Sequence, residues 1–396
     1  MNTAEKKGKI MIQPAQRVSL ITEYYFSRKR KEIDQMRERG LDVIDLGIGS
    51  PDRPPSEKVI ETLHANAVMP GNHGYQSYTG IPALRRAFSD WYRQYFKVEL
   101  NPADEILPLI GSKEGIMHIS MAFIDEGDEV LVPDPGYPAY AAATKLAGGR
   151  VLSYNLTEEN GWLPDFKEIE KNDMSRVKIM WINYPHMPTG KRASKHELEK
   201  IVEFAVRHNV LLCNDNPYSF ILNDDYTSVL SVDGSRDIAL EMNSLSKSHN
   251  MAGWRIGMVA GNSSYISAIL RVKSNMDSGM FQPLQAAASE ALSAPAEWYN
   301  EVNTAYRERR KVAEEIMTAL GCTFDTDQSG LFLWGKIPHF YSNSEEVSDL
   351  LLHKANVFIT PGFIFGTNGN NYIRISLCSK SEVLVKALNR IKSIIN

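Results

Sequence analysis

The stretch Ser244 to Gly257 reads SLSKSHNMAGWRIG, a lysine among small polar residues with an arginine eight positions on. A surface lysine keeps its long side chain solvated, but these neighbours suit other chemistry. An amine used covalently must sit in a desolvated pocket and lose its proton. Ser244, Ser246 and Arg255 bring hydroxyls and a guanidinium fork around Lys247, a set suited to a phosphate. Ser112 and Lys113, in GSKEG, follow the apolar run EILPLI and open a helical pattern. Backbone N–H groups at a helix N-terminus hold phosphate with the macrodipole assisting, so two separate segments offer one anion site.

Asp215, in NDNPY, ends another strongly apolar run. An unpaired carboxylate there loses its hydration, so it needs a cationic partner or strong donors, and a protonated pyridine nitrogen is such a partner. Tyr218 and Asn183, the latter in NYPHMPTG, offer hydrogen bonds to a ring hydroxyl, and Tyr137 in DPGYP offers an aromatic face. These are the requirements of pyridoxal phosphate.

The elements that must position these residues alternate. From about residue 105 to 260 the runs EILPLIG, DEVLVPD, RVLSYNL, VKIMWINYP, VLLCNDN, IALEMNS and RIGMVAG read as buried strands, separated by helical patterns such as KHELEKIVEFAVRHN. Such alternation specifies an α/β fold with a mostly parallel, seven-stranded sheet covered by helices, because parallel strands need long crossovers. Ligands of such sheets gather at the carboxyl ends of strands, and GSKEG, DPGYP, NYPHMPTG, NDNPY and SLSK all follow strands. After residue 285 long helices are followed by the short strands GLFLWGKI, VFITPG and YIRISL, a smaller α+β domain. The expected division is 1–50, a segment packing with the small domain; 51–285, the large cofactor-binding domain; and 286–396, the small C-terminal domain.

Composition narrows the partners. The 396 residues carry 44 Lys and Arg against 48 Asp and Glu, a net charge of -4, which offers no attraction to nucleic acid or anionic lipid. Neither a signal-peptide core nor a long apolar span is present, so we expect a cytoplasmic protein without membrane contact. Cys213, Cys322 and Cys378 are far apart and the histidines form no ligand spacing, so neither disulfides nor a metal site are expected.

Together SLSKSHNMAGWRIG, NDNPY, NYPHMPTG, GSKEG and YIRISL resemble the class I/II aminotransferases of the fold-type-I pyridoxal-phosphate enzymes, over nearly the whole chain. GSKEGIMH, DPGYPAY and KSNMDSG are most similar to the LL-diaminopimelate aminotransferase-like members. The resemblance implies that Lys247 carries the cofactor as a Schiff base and shuttles the proton between it and the substrate α-carbon, while Asp215 holds the pyridinium. It implies Tyr218 and Asn183 at the ring oxygen, Tyr137 on the ring face, and Ser112, Lys113, Ser244, Ser246 and Arg255 at the phosphate. Arg374, in YIRISL, corresponds to the arginine that grips the substrate α-carboxylate; Gly49, Asn183 and Tyr24 border the substrate. Tyr75, in GYQSYTG, corresponds to a tyrosine reaching the phosphate of the neighbouring subunit, which implies a homodimer with shared active sites, and Ser278 is expected from that neighbour too. Without the resemblance, Tyr24 and Tyr75 read equally well as packing aromatics, and Arg374 as an exposed edge-strand residue.

Two departures stand out. Met187, after His186, replaces the usual asparagine of the NPTG turn. The GYQSYTG turn, where diaminopimelate enzymes carry a glutamate that helps read the distal ammonium, has Tyr78 and Thr79 and no acid. The expected activity is amino transfer from an L-amino acid to a 2-oxo acid, the donor being LL-diaminopimelate, aromatic, methionine, alanine or aspartate. Neutral or aromatic donors are expected to be favoured unless Asp277 or Asp52 supplies the missing charge. The alternatives are a β-elimination (C–S) lyase on the same fold, a cofactor-sensing transcription regulator, for which no helix-turn-helix precedes residue 15, and a nicotinamide dehydrogenase, for which no GxGxxG follows a strand.

Overall fold

The computed structural model describes residues 12–395; the ends of the expected first and last segments, 1–11 and 396, lie outside the described residues. A helix, Tyr25–Glu38, leads to β1 (Ile44–Asp45). The large sheet is built from β2 (Ile106–Leu109), β3 (Glu129–Asp134), β4 (Arg150–Asn155), β5 (Val177–Ile182), β6 (Leu211–Asp215), β7 (Ala239–Ser244) and β8 (Gly257–Gly261). Each of the seven apolar runs forms one of these strands. Their order is β2-β8-β7-β6-β5-β3-β4. The ladders among β3 to β7 are parallel, whereas β8 runs antiparallel to both β2 and β7. Reversing β8 alone puts its first residue at the edge where β2, β3, β5, β6 and β7 end.

The inner strands are buried on both faces because both are covered, whereas the edge strand β4 is partly exposed. Ile179 and Trp181 of β5 pack into one core with Ile116, Tyr140 and Ile266 from helices Ser112–Phe123, Pro138–Leu146 and Ser263–Lys273. Met180 and Ile182 pack into the opposite core with Phe88, Leu198 and Ala287 from helices Pro82–Phe96, Lys195–His208 and Gln282–Leu292. The helix Lys195–His208 starts where Ser194 and Glu197 form a capping box and stops at Asn209 in the left-handed region, φ 51°.

The remaining strands are β9 (Phe332–Lys336), β10 (Val357–Phe358), β11 (Thr360–Pro361) and β12 (Tyr372–Ser376). β12 lies between β11 and β9, antiparallel to both. Helices Ala296–Ala319, Ser344–Ala355 and Ser381–Ile395 cover this sheet through residues such as Ile316, Leu351 and Leu388. β1 pairs in parallel with β10, Ile44 opposite Val357. Ile33 and Met36 of the first helix pack on Leu352 and Phe358.

Candidate active site

The carboxyl edge of the large sheet faces Arg374 of β12 across a cavity of about 650 Å³. Its walls are supplied strand by strand. β7 ends at Ser244, whose side chain accepts from the Ser246 N–H at 3.1 Å and donates to the Ser246 hydroxyl at 2.8 Å. That cap starts the single helical turn Leu245–Ser248, which aims Lys247 into the cavity, its Nζ donating to the Gly49 carbonyl. Burial pushes the Lys247 pKa down, and the nearby Arg374 and Arg255 charges act in the same direction.

Arg255 lies just before β8 in the left-handed region, φ 58°, with Nη1 donating to the Ala252 carbonyl at 2.9 Å. Its guanidinium lies against Gly111, the residue between β2 and the helix beginning at Ser112. Gly111 has φ 80°, and a Cβ there would strike Arg255 Nη2, so glycine is required on both counts. The Ser112 hydroxyl is buried without a partner beside this cup. Lys113 lines the cavity, with its ammonium 5.1 Å over the Tyr24 ring.

Asp215 closes β6, 5% exposed. Tyr140 donates to its Oδ2 at 3.1 Å, while Oδ1 is buried with no hydrogen-bond partner among the described residues. Burial pushes its pKa up to about 6, against the Tyr140 hydroxyl, the nearby Ser112 hydroxyl and the Lys247 charge. Tyr140 is itself stacked on Trp181, ring centroids 5.0 Å apart, and Tyr137 meets it edge-on at 5.7 Å. Tyr140 was not singled out in the sequence, although its place one helical turn beyond Tyr137 put both on one face. Tyr218 is buried at the Phe332 side, ring centroids 6.1 Å apart.

Asn183 also has a role within the chain. It lines the cavity, but its side-chain carbonyl accepts the Met187 N–H at 2.8 Å and its amide donates to the Asp215 backbone carbonyl. Asn183 thus ties two loops together, and its second amide N–H is left for the cavity that it lines.

Arg374 is 4% exposed in the central strand of its sheet, not at an edge. Nη2 donates to the Gly47 carbonyl at 2.7 Å, Nη1 meets Met187 Sδ at 3.2 Å, and Nε is buried without a partner. Its carbon Cζ lies 3.8 Å from the ring centre of Phe332, 4.6 Å from Phe365 and 5.7 Å from Phe26. Burial lowers its pKa to about 10. Among the described residues no carboxylate is bonded to it, and a buried guanidinium facing a thioether and rings has donors free for an anion. Gly49 sits under Phe332, leaving no room for a side chain. The Phe26, Phe332 and Phe365 collar carried no motif in the sequence; three remote segments supply it.

Tyr75 does not line this cavity. It is 95% exposed on the turn after Pro70–His73, and Tyr78 is 44% exposed beside it. Ser278 does not line the cavity either. The two acids proposed as substitutes for the missing glutamate are already engaged: Asp52 pairs with both Arg309 Nη atoms at 2.8 and 2.9 Å, and Asp277 with Lys273.

The sequence model described as aminotransferase class I and II matches residues 41–391. The chain belongs to the class I and II aminotransferases. It is similar to the LL-diaminopimelate aminotransferase of Moorella thermoacetica, 42% identical over 97% of this chain and 99% of that one, and to that of Aquifex aeolicus, 39% identical over 97% and 100%. Among solved structures it resembles apo-BacF from Bacillus subtilis, with TM-score 0.93 and 33% identity over 98% and 99% of the two chains. It also resembles an aspartate aminotransferase mutant from Thermus thermophilus, with TM-score 0.90 and 28% identity over 97% and 100%. The protein is therefore a transaminase of α/β fold type I that uses pyridoxal phosphate, and not the lyase considered as an alternative. The aminotransferase cavity fits that cofactor: Asp215 presents an unpartnered buried oxygen for a ring cation, Lys247 a part-desolvated amine, and the Gly111 turn, Ser244, Ser246 and Arg255 a cup for phosphate.

Proposed function

We propose that this aminotransferase works as a cytoplasmic homodimer and takes its amino group from a bulky neutral L-amino acid, returning it to a 2-oxo acid. Residues 51–285 hold the cofactor in this reading, and residues 286–396, with segment 1–50 beside them, bring Arg374. Bound pyridoxal phosphate supplies an electron sink for the pair left when the α-proton departs. Lys247 Nζ takes that proton and returns it; Asp215 Oδ1 holds the ring cation; Tyr218 reaches the ring oxygen, and Tyr137 covers the ring face. Ser112, Lys113, Ser244, Ser246 and Arg255 hold the phosphate, with Tyr75 of the neighbouring subunit. Arg374 grips the α-carboxylate, with Gly49, Asn183 and Tyr24 beside it. The turn carrying Tyr75 stands out from its own cavity on a surface with exposed Val68, Met69, Met276 and Phe281, which suits a second copy of the chain.

The collar of Phe26, Phe332 and Phe365, with Met187 and Ile48, carries the substrate reading. Among the described residues the cavity has two acids in its walls, Asp215 at the ring end and the exposed Asp34 of the helix Tyr25–Glu38, 3.6 Å from Arg37. A distal ammonium would meet no buried carboxylate at the substrate end, an unmatched charge of high cost. LL-diaminopimelate is the second reading, favoured by the names of the relatives and by Lys113, a cation in the wall for a second carboxylate. The test compares kcat/KM for LL-diaminopimelate with phenylalanine, methionine, alanine and aspartate, using 2-oxoglutarate. A preference of about 100-fold for diaminopimelate, about 2.7 kcal/mol, would overturn the neutral-donor reading.

A further inference from the structure

Glu114, His118, Lys273 and Asp277 form a charged cluster away from the cavity. Ligand atoms of Glu114, His118 and Asp277 lie within 4.8 Å of one another, a spacing open to a metal ion. The ammonium of Lys273, 1% exposed, already fills that role: it lies 3.3 Å from Glu114 Oε1 and bonds Asp277 Oδ2. His118 Nε2 closes on Glu114 Oε1 at 2.8 Å.

The ends of the cluster matter more than its centre. Glu114 Oε2 accepts the Ile110 N–H, which pins the turn Ile110–Gly111–Ser112 of the phosphate cup. Asp277 Oδ1 accepts the Gly279 N–H at 3.1 Å. Gly279, φ 83°, lies so close to the Gln76 and Ser77 carbonyls that a Cβ would strike both. An unbroken line of contacts thus runs from this subunit's phosphate cup to the turn that bears Tyr75.

We propose that Lys273 is a positioning residue that couples the phosphate cup of one subunit to the turn serving its neighbour, so that cofactor binding and dimer assembly strengthen each other. The inference rests on the homodimer reading. A buried ammonium between two carboxylates holds one arrangement of both loops, and ordering either end lowers what must be ordered at the other. Linkage then requires reciprocity: if the dimer binds cofactor more tightly, cofactor tightens the dimer by the same factor.

Sedimentation velocity over a dilution series, with and without pyridoxal phosphate, measures this factor. For the wild-type chain we expect the dimer dissociation constant to fall about 10-fold or more with cofactor. In Lys273→Met and Asp277→Ala, cofactor still binds, but the ratio of the two constants falls at least about 3-fold below the wild-type ratio, what remains being the direct reach of the neighbour's Tyr75 to the phosphate. Asp277 lies on a part-exposed loop, so Asp277→Ala decides the matter if Lys273→Met fails to fold. A folded Asp277→Ala protein with the wild-type ratio overturns the coupling, as does a wild-type dimer indifferent to cofactor. A wild-type chain that is fully active as a monomer overturns the homodimer reading instead.

Discussion

Asp215 carries an unusual burden for a single carboxyl: burial moves its pKa from 3.8 to about 6. In cofactor-free protein that shift favours the protonated form, so its stabilising contribution is full below pH 3.8 and is lost as pH rises through about 6. A cation against Oδ1 reverses the preference. We expect pyridoxal phosphate to raise Tm more at about pH 7.5 than at about pH 5, and Asp215→Asn to flatten that difference; a rise independent of pH in the wild-type protein would contradict the assignment. Lys247→Ala should abolish borohydride-stable attachment of cofactor, read by peptide mass, and lower turnover by about 10²- to 10⁴-fold, the usual worth of a positioned acid–base group. Retention of full turnover would remove Lys247 from the chemistry. Arg374→Lys keeps the charge but loses the fork, and its kcat/KM should fall about 10- to 100-fold for donors and acceptors alike, as expected for losing a charge-assisted bond worth about 1.5–3 kcal/mol. Lys247, Asp215 and Arg255 were legible as residues because amine, buried acid and fork have few reasons to recur in such settings. Tyr140 and the phenylalanine collar were not, since an aromatic residue in a core looks the same in sequence whether it packs or supports a ligand.

At the scale of elements, the turn between β2 and the helix Ser112–Phe123 places Gly111 under Arg255 with φ 80°. Gly111→Ala adds left-handed strain of about 1–3 kcal/mol and displaces the guanidinium. Cofactor affinity should drop about 10-fold or more on that basis, while the circular dichroism spectrum stays unchanged; an unaltered dissociation constant in fluorescence titration would show that the cup does not depend on this turn. The seven strands were readable because strands covered on both faces are buried along their length, as β6, β7 and β8 are, and so are rich in apolar residues, with the polar exceptions Asn214, Asp215, Glu241, Asn243 and Ser244 concentrated in β6 and β7. The reversal of β8 was not, because an apolar run has the same composition in either direction. Asn183 shows the same limit: its position after β5 was clear, but the two backbone groups it binds, on Met187 and Asp215, come from different loops.

For the molecule as a whole, the exposed Tyr75 turn separates two accounts of one active site. Mixing Tyr75→Phe with Lys247→Ala protein should create heterodimers with one undamaged site and restore part of the wild-type rate; no recovery, despite subunit exchange verified by mass, would place Tyr75 outside the neighbour's site. By itself the sequence determined the fold class and the cofactor, and pointed to Lys247 as the residue to test, since each depends on local features: apolar periodicity, strand-end motifs and one SLSK turn. It also showed the absence of an acid from GYQSYTG. The tertiary structure decided which acids remain free. Asp52 and Asp277 are tied to Arg309 and Lys273, partners 257 and 4 residues away. It decided, too, that Arg374 is buried in a central strand rather than exposed at an edge. The Asp52–Arg309 pair and the burial of Arg374 are set by segments remote in sequence, so no local pattern encodes them, whereas the Lys273–Asp277 pair is a local i,i+4 contact whose burial alone depends on the packed chain.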